Sequence, residues 1–322
     1  MPAPVPFAAV PSVAEMSVLR AVIYASLFQF PLTPVEARRT LVGCALSEIE
    51  LMALYRQSGF LQKRLDYRRG YFVPAGRGEW VVERADREAR SRRFIDANRR
   101  VLNVLCAIPF VRLLAISGSL AHLNAPRDAD LDLFVITRGQ RAWSVSAAIV
   151  VLSKLMGCRA IVCANFVVTD TDMSIEPRDE FSANQTIHLR PVIGADAYRE
   201  FLDANPFVRT VYPNADSCEQ PLWPFTPSLW AARIKRVLET ALVIPSRTIE
   251  AICRGAYGWH LRRKVQNWAS PDQVRLTRTQ LKLHGNSHRQ AIRKRFDTAV
   301  RATRIPTNPT DVLRGNSSAR VG

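Results

Sequence analysis

The sequence has no apolar run long enough to cross a bilayer. Its longest, Trp143 to Met156, is interrupted by Lys154 and falls short of the about 20 residues that a spanning helix needs. The opening stretch, MPAPVPFAAVPSVAE, has no basic cluster and carries Pro inside its apolar part, so no secretory signal is expected. Cysteine is sparse and scattered: Cys44, Cys106, Cys158, Cys163, Cys218 and Cys253 never form a Cys-x-x-Cys pair. That spacing supports neither a zinc cluster nor a disulfide framework, and reduced thiols in a cytoplasmic protein are the expectation. No internal repeat is present. Acidic residues are scarce in one region only. Residues 1–230 hold 26 basic and 23 acidic side chains, whereas residues 231–322 hold 19 and 5, so +14 of the net +17 lies in the last 92 residues. Such a field calls for an anionic partner or a solvated face.

What is present describes a globular chain. Its 322 residues are 48% hydrophobic, with a mean hydropathy of −0.05, enough for a real core and roughly two domains. Residues 1–14 are Pro-rich and read as a disordered lead. Apolar residues at three- and four-residue intervals begin with Val18, Leu19, Val22, Ile23 and Leu27. Thr33-Pro34-Val35-Glu36 opens a second helix with a cap and a Pro in its first turn, and Ser47-Glu-Ile-Glu50 opens a third with a capping box. Two strand-like runs follow, Gly59 to Lys63 and Gly70 to Val73, around a basic turn. Three helices and a hairpin over 15–76 give the order of a winged helix. Its third helix carries Glu48 and Glu50 and only Arg56 as a cation, so packing or protein contact competes with DNA binding there.

Residues 77–100 read as a charged linker helix. The block 111–169 reads strand, turn, strand, helix, strand, a small α/β unit inside a core over 101–228. A basic helical region over 229–304 follows, with helices expected at about 229–265 and 271–303, and then a tail over 305–322.

The stretch Ile116-Ser-Gly-Ser-Leu-Ala-His-Leu-Asn-Ala-Pro-Arg-Asp-Ala-Asp-Leu-Asp-Leu-Phe-Val-Ile136 carries the chemistry. Gly118-Ser119 follows a buried strand directly. A glycine there lets the backbone approach a ligand, and the neighbouring amides and the Ser hydroxyl suit phosphate oxygens. A Gly-x-Ser-x-Gly hydrolase elbow is absent. Asp130 and Asp132 enter the next strand two residues apart. Alternation points both the same way, with Leu131 packing behind. Two such carboxylates repel unless a hard cation sits between them, and Mg²⁺ suits one or two carboxylates plus substrate phosphates. Against this stands a solvated turn before a strand. His122, in the same loop, is open to a surface role or a phosphate contact.

Gly-Ser followed after about ten residues by Asp-x-Asp resembles the nucleotidyltransferase superfamily of the DNA polymerase β type; here Ser119 precedes Asp130 by eleven residues. The resemblance implies that Gly118 and Ser119 hold the triphosphate of an NTP. It also implies that Asp130 and Asp132 bind two Mg²⁺ ions, with Mn²⁺ as a substitute, for transfer of a nucleoside monophosphate to a hydroxyl or phosphate acceptor. The superfamily's third carboxylate falls on the strand Ala160 to Val168, where the only polar side chain is Asn165. Asp170 and Asp172 follow just beyond, and Asp128 adds a spare carboxylate beside Ala129, which replaces the usual small polar residue. Pro109-Phe-Val-Arg112, Asn165-Phe166, Asn205-Pro-Phe-Val-Arg209, and Leu281-Lys-Leu-His284 with His288-Arg289 resemble a bacterial group of nucleotidyltransferase-like proteins. A catalytically degenerate regulator that binds nucleotide or DNA is the alternative. The C-terminal cations, interspersed with Trp230, Trp259 and Trp268, fit nucleic acid, another polyanion or an anionic membrane surface. A membrane role requires those helices to present an apolar face to solvent.

Overall fold

The computed structural model describes residues 10–215, 225–270, 273–283 and 289–303. Most of the expected lead, the whole of the tail, Cys218, His284 and His288 lie outside them. The chain divides into two compact units.

The first unit comprises the chain up to Arg84 with 209–218 and residues from 291 onward. Its helices α1 (Val13–Ser26), α2 (Pro34–Arg39) and α3 (Glu48–Gln57) each start on a reciprocal capping box, Ser12 with Glu15, Thr33 with Glu36, and Ser47 with Glu50. The expected strand at Gly59 to Lys63 is instead a helical turn, α4 (Gly59–Gln62). The Ser58 hydroxyl accepts the Leu61 N–H at 3.1 Å and starts a new turn before the apolar run can extend. The hairpin lies further on, as β1 (Leu65–Arg68) and β2 (Tyr71–Pro74), antiparallel across a two-residue turn. Arg69 and Gly70 both hold positive φ, 51° and 86°, the geometry such tight turns require. Leu19, Leu41, Leu51, Leu61 and Phe72 form the buried centre, joined by Phe296 and Val300 from near the C-terminus.

The second unit holds 85–208 and 219–290. Along the chain come α5 (Trp80–Ala97), α6 (Arg99–Cys106), β3 (Val111–Ile116), α7 (Gly118–Ala121), β4 (Leu131–Thr137), α8 (Ala142–Leu155) and β5 (Val162–Thr169). Then follow α9 (Glu180–Ile187), β6 (Arg190–Ile193), α10 (Ala195–Asp203), α12 (Leu229–Leu242), α13 (Ser246–Val265), β7 (Val274–Leu276) and β8 (Gln280–Leu283), whereas most of α11 (Phe207–Val211) and of α14 (Arg289–Ala302) is counted with the first unit. The protein is therefore mixed α/β, with a six-stranded sheet in the order β6-β3-β4-β5-β8-β7. Among the described residues only β4 and β5 pair in parallel; α8 provides the crossover between them.

The sheet is covered on both faces, which explains the near-continuous apolar runs of β3 and β4. Leu114, Ile116, Leu131, Leu133 and Val135 face one core with Trp143 and Ile149 of α8. Leu113, Ala115, Phe134 and Ile136 face the other, with Ala197 and Phe201 of α10. The long helix expected over 271–303 is not formed. Gln280 and Leu281 are buried, the Thr277 N–H donates to the Gln280 carbonyl, and two short strands extend the sheet. Pairing at the edge of the sheet overrides the helix-like, basic composition.

Helix α8 has no cap of its own. Glu250, buried on α13, accepts the N–H groups of Trp143 (3.0 Å) and Ser144 (2.8 Å) and the Ser144 hydroxyl (2.6 Å). A carboxylate there satisfies first-turn donors and complements the helix dipole. Glu250→Gln should lower stability by about 1–2 kcal/mol in a urea titration.

Candidate functional site

The site is built where β3 ends and β4 begins. The Ser117 N–H donates to the Asp132 carbonyl at 2.9 Å, clamping the end of one strand to the start of the other. The chain then turns at Gly118, whose φ is +65°. A Cβ at this position would lie 2.4 Å from Oδ2 of Asp132. The glycine is therefore required twice, by the backbone angle and by the carboxylate that fills the space of a Cβ. Ser119 follows in α7, half-buried, and its hydroxyl has no hydrogen-bond partner among the described residues.

Asp130 is exposed just before β4, and Asp132 is half-buried as the second residue of that strand. Leu131 between them is fully buried in the opposite core, as the alternation requires. Burial, then the Asp130 charge, pushes the Asp132 carboxyl up from 3.8 to about 6, against a smaller downward pull from Asn165. The two carboxylates thus sense each other, and Asp130 has no ion-pair partner among the described residues. Asn165 on β5 donates from Nδ2 to Oδ1 of Asp132 at 2.5 Å. The β4–β5 register steps from Leu133↔Ala164 to Phe134↔Phe166, so Asn165 is the unpaired residue of a bulge, a device that re-aims a side chain.

The carboxylates beyond β5 do not join this group. The register places Thr137 beside Thr169, five residues along β4 from Asp132, about 17 Å away at the rise of a strand. There Asp170 accepts the Gly139 N–H (2.7 Å) and an Arg112 bond (3.3 Å). Asp172 accepts the Thr279 hydroxyl at 2.6 Å. Asp128 is exposed in the turn ahead of Asp130. Among the described residues no set of three His, Cys, Asp or Glu side chains is placed to hold a metal. The donors offered are two carboxylates and one carboxamide. That set fits a hard divalent cation whose remaining ligands come from water and substrate phosphate, and a cation would offset the burial and the Asp130 charge that raise Asp132.

Three neighbours were not read as site residues. Cys163 pairs with Asp132 across β4 and β5, and its thiol is pushed up by burial and then by the Asp132 and Asp130 charges. Arg159 lowers that same thiol, which brings a cation to this edge of the sheet. Lys282 on β8 pairs with Phe166; Leu281 and Leu283 pack into the Trp143 core, so alternation turns Lys282 to the Asp132 face. Its ammonium is pushed down by burial and then by Arg289 and Arg275. Nothing in the sequence marks these residues, because each depends on strand register. His122 stacks on His188 at 4.2 Å, and Arg190 donates to the Ala121 carbonyl, which pins the end of α7.

No family model, no curated protein and no solved structure matches this chain. Its function rests on the geometry above.

Proposed function

We propose that the edge formed by Gly118, Ser119, Asp130 and Asp132 binds an NTP with Mg²⁺, and that the chain is a nucleotidyltransferase. It would move a nucleoside monophosphate to a hydroxyl or phosphate acceptor. The observation that carries this reading is the Asp132 carboxylate filling the space that a Cβ at Gly118 would need, with the Asp130 charge close enough to act on it. The order helix, strand, glycine turn, strand, crossover helix, strand supports a polymerase-β-type core, and the first unit's helices and hairpin support a winged-helix-like module.

In this reading Asp130 and Asp132 hold the metal, and Asn165 orients the Asp132 carboxylate. The backbone and hydroxyl at Gly118–Ser119 take phosphate oxygens, with Arg159 and Lys282 as further cations. Bound Mg²⁺, or Mn²⁺ in its place, would supply charge neutralisation and activation of the acceptor oxygen.

A second reading, a nucleotide- or DNA-binding regulator without turnover, is favoured by one observation: the third-ligand position is the neutral Asn165. Incubation with labelled NTPs, Mg²⁺ and cell extract separates the two. Label transfer that is lost in Asp130→Ala supports the enzyme; tight NTP binding without transfer supports the regulator. Neither NTP binding nor transfer would sink both. Asn165→Asp should raise Mg²⁺ affinity about tenfold by adding the missing charge, measured by calorimetry at neutral pH.

A further inference from the structure

Ten of the nineteen exposed large apolar side chains among the described residues fall between Leu229 and Trp259. On α12 they form a stripe: Trp230, Ile234 and Val237, at i, i+4 and i+7, are 45%, 44% and 67% exposed. The opposite side of the helix is the packed one. Ala231 is buried, Lys235 donates to the Val111 carbonyl, and Glu239 accepts the Phe110 N–H at 2.8 Å. The connection to α13 leaves Ile244 88% exposed, and α13 continues with exposed Ile252 and Trp259, seven residues apart.

Charge follows the same division. Between Leu229 and Val265 there are eight Lys or Arg and only two acids, Glu239 and Glu250. Both acids point inward, to the Phe110 amide and to the start of α8. The outward side is therefore apolar and cationic, with no exposed carboxylate. At the start of α13 a cavity of about 480 Å³ adds Arg141, Arg247, Arg254 and Arg278 around Glu250. Glu250 is already occupied by α8, and none of the four arginines pairs with a carboxylate among the described residues. Arg141 is held by the Arg138 carbonyl (2.7 Å) and the Ser246 hydroxyl (3.0 Å), and its Nε is buried without an acceptor.

We propose that α12 and α13 dock the protein on an anionic lipid surface. The exposed aliphatic and Trp side chains enter the headgroup boundary, and the arginines bind lipid phosphates. Among the described residues no helix is long and apolar enough to cross the membrane, so the pair lies on it. Nucleic acid offers no apolar phase for Val237 and Ile244. A second copy would bring the same cations face to face. The inference is independent of the nucleotide reading.

Vesicle co-sedimentation of the full chain tests it. Binding is expected to phosphatidylcholine vesicles containing phosphatidylglycerol, weaker at high salt, and not to pure phosphatidylcholine. Ile234→Glu and Val237→Glu, at exposed positions that should leave the melting temperature unchanged, are each expected to weaken binding about tenfold. Arg233→Ala and Arg236→Ala should each cost about fivefold. No binding to the anionic vesicles, or binding that both glutamate variants retain, overturns the proposal. So does binding of inorganic pyrophosphate without binding of vesicles, and so does a dimer in solution that the glutamate variants dissociate.

Discussion

Asp132→Asn will stabilise the metal-free protein at pH 7 while removing its Mg²⁺-nucleotide affinity. The carboxyl of Asp132 is raised from 3.8 to about 6 by burial and by Asp130. A raised carboxyl means the folded state holds its proton more tightly than the unfolded chain. Below about pH 4 both states are protonated and nothing is lost. Between about pH 4 and 6 the folded state must give up that extra proton, so stability falls as pH rises, and the loss is complete above it. One pKa unit is about 1.4 kcal/mol; allowing for partial exposure, the loss is about 2 kcal/mol at neutral pH. Asparagine has no such titration. In chelator-containing buffer the variant should exceed the parent by about 2 kcal/mol at pH 7 and match it near pH 4 by urea denaturation. Mg²⁺-dependent NTP binding should fall by a factor of about 100 or more, since a charged metal ligand becomes neutral. A variant that is less stable at pH 7 than at pH 4 in the same way as the parent would contradict the raised carboxyl. Nucleotide binding that survives intact would contradict the site.

Gly118→Ala should damage the same site from the backbone side. An alanine at φ +65° costs about 1–2 kcal/mol by itself. Its Cβ would also meet Oδ2 of Asp132 at 2.4 Å. Aspartate is short, and its other oxygen is bonded to Asn165, so the carboxylate can retreat only by breaking that bond. We expect a stability loss of about 2 kcal/mol or more and a fall in nucleotide affinity of at least about tenfold. A double-mutant cycle isolates the clash. In an Asp132→Ala background the Gly118→Ala penalty should shrink to the backbone part alone, a coupling of about 1 kcal/mol. Strict additivity of the two substitutions would show that the carboxylate does not rest on the glycine.

Much of this protein could be read along the chain because the physics is local. Capping boxes at Thr33 and Ser47 place two helix starts, since each needs only residues three positions apart. Asp130 and Asp132 stand out because they sit two residues apart at the start of a strand, and a charged residue inside Leu-Asp-Leu-Phe-Val-Ile-Thr conflicts with an otherwise buried strand. The +14 charge of the last 92 residues is a matter of counting. Folding settled the rest, for reasons of register and burial. The strands at Val274 and Gln280 exist because a sheet edge accepts them, which composition around them does not disclose. That Asn165 rather than Asp170 or Asp172 meets Asp132 depends on one bulge and on which end of β5 each residue occupies. Likewise, cations and aliphatic residues on α12 and α13 are equally visible in the sequence, but which face each helix buries depends on contacts more than a hundred residues away, such as Glu239 with Phe110.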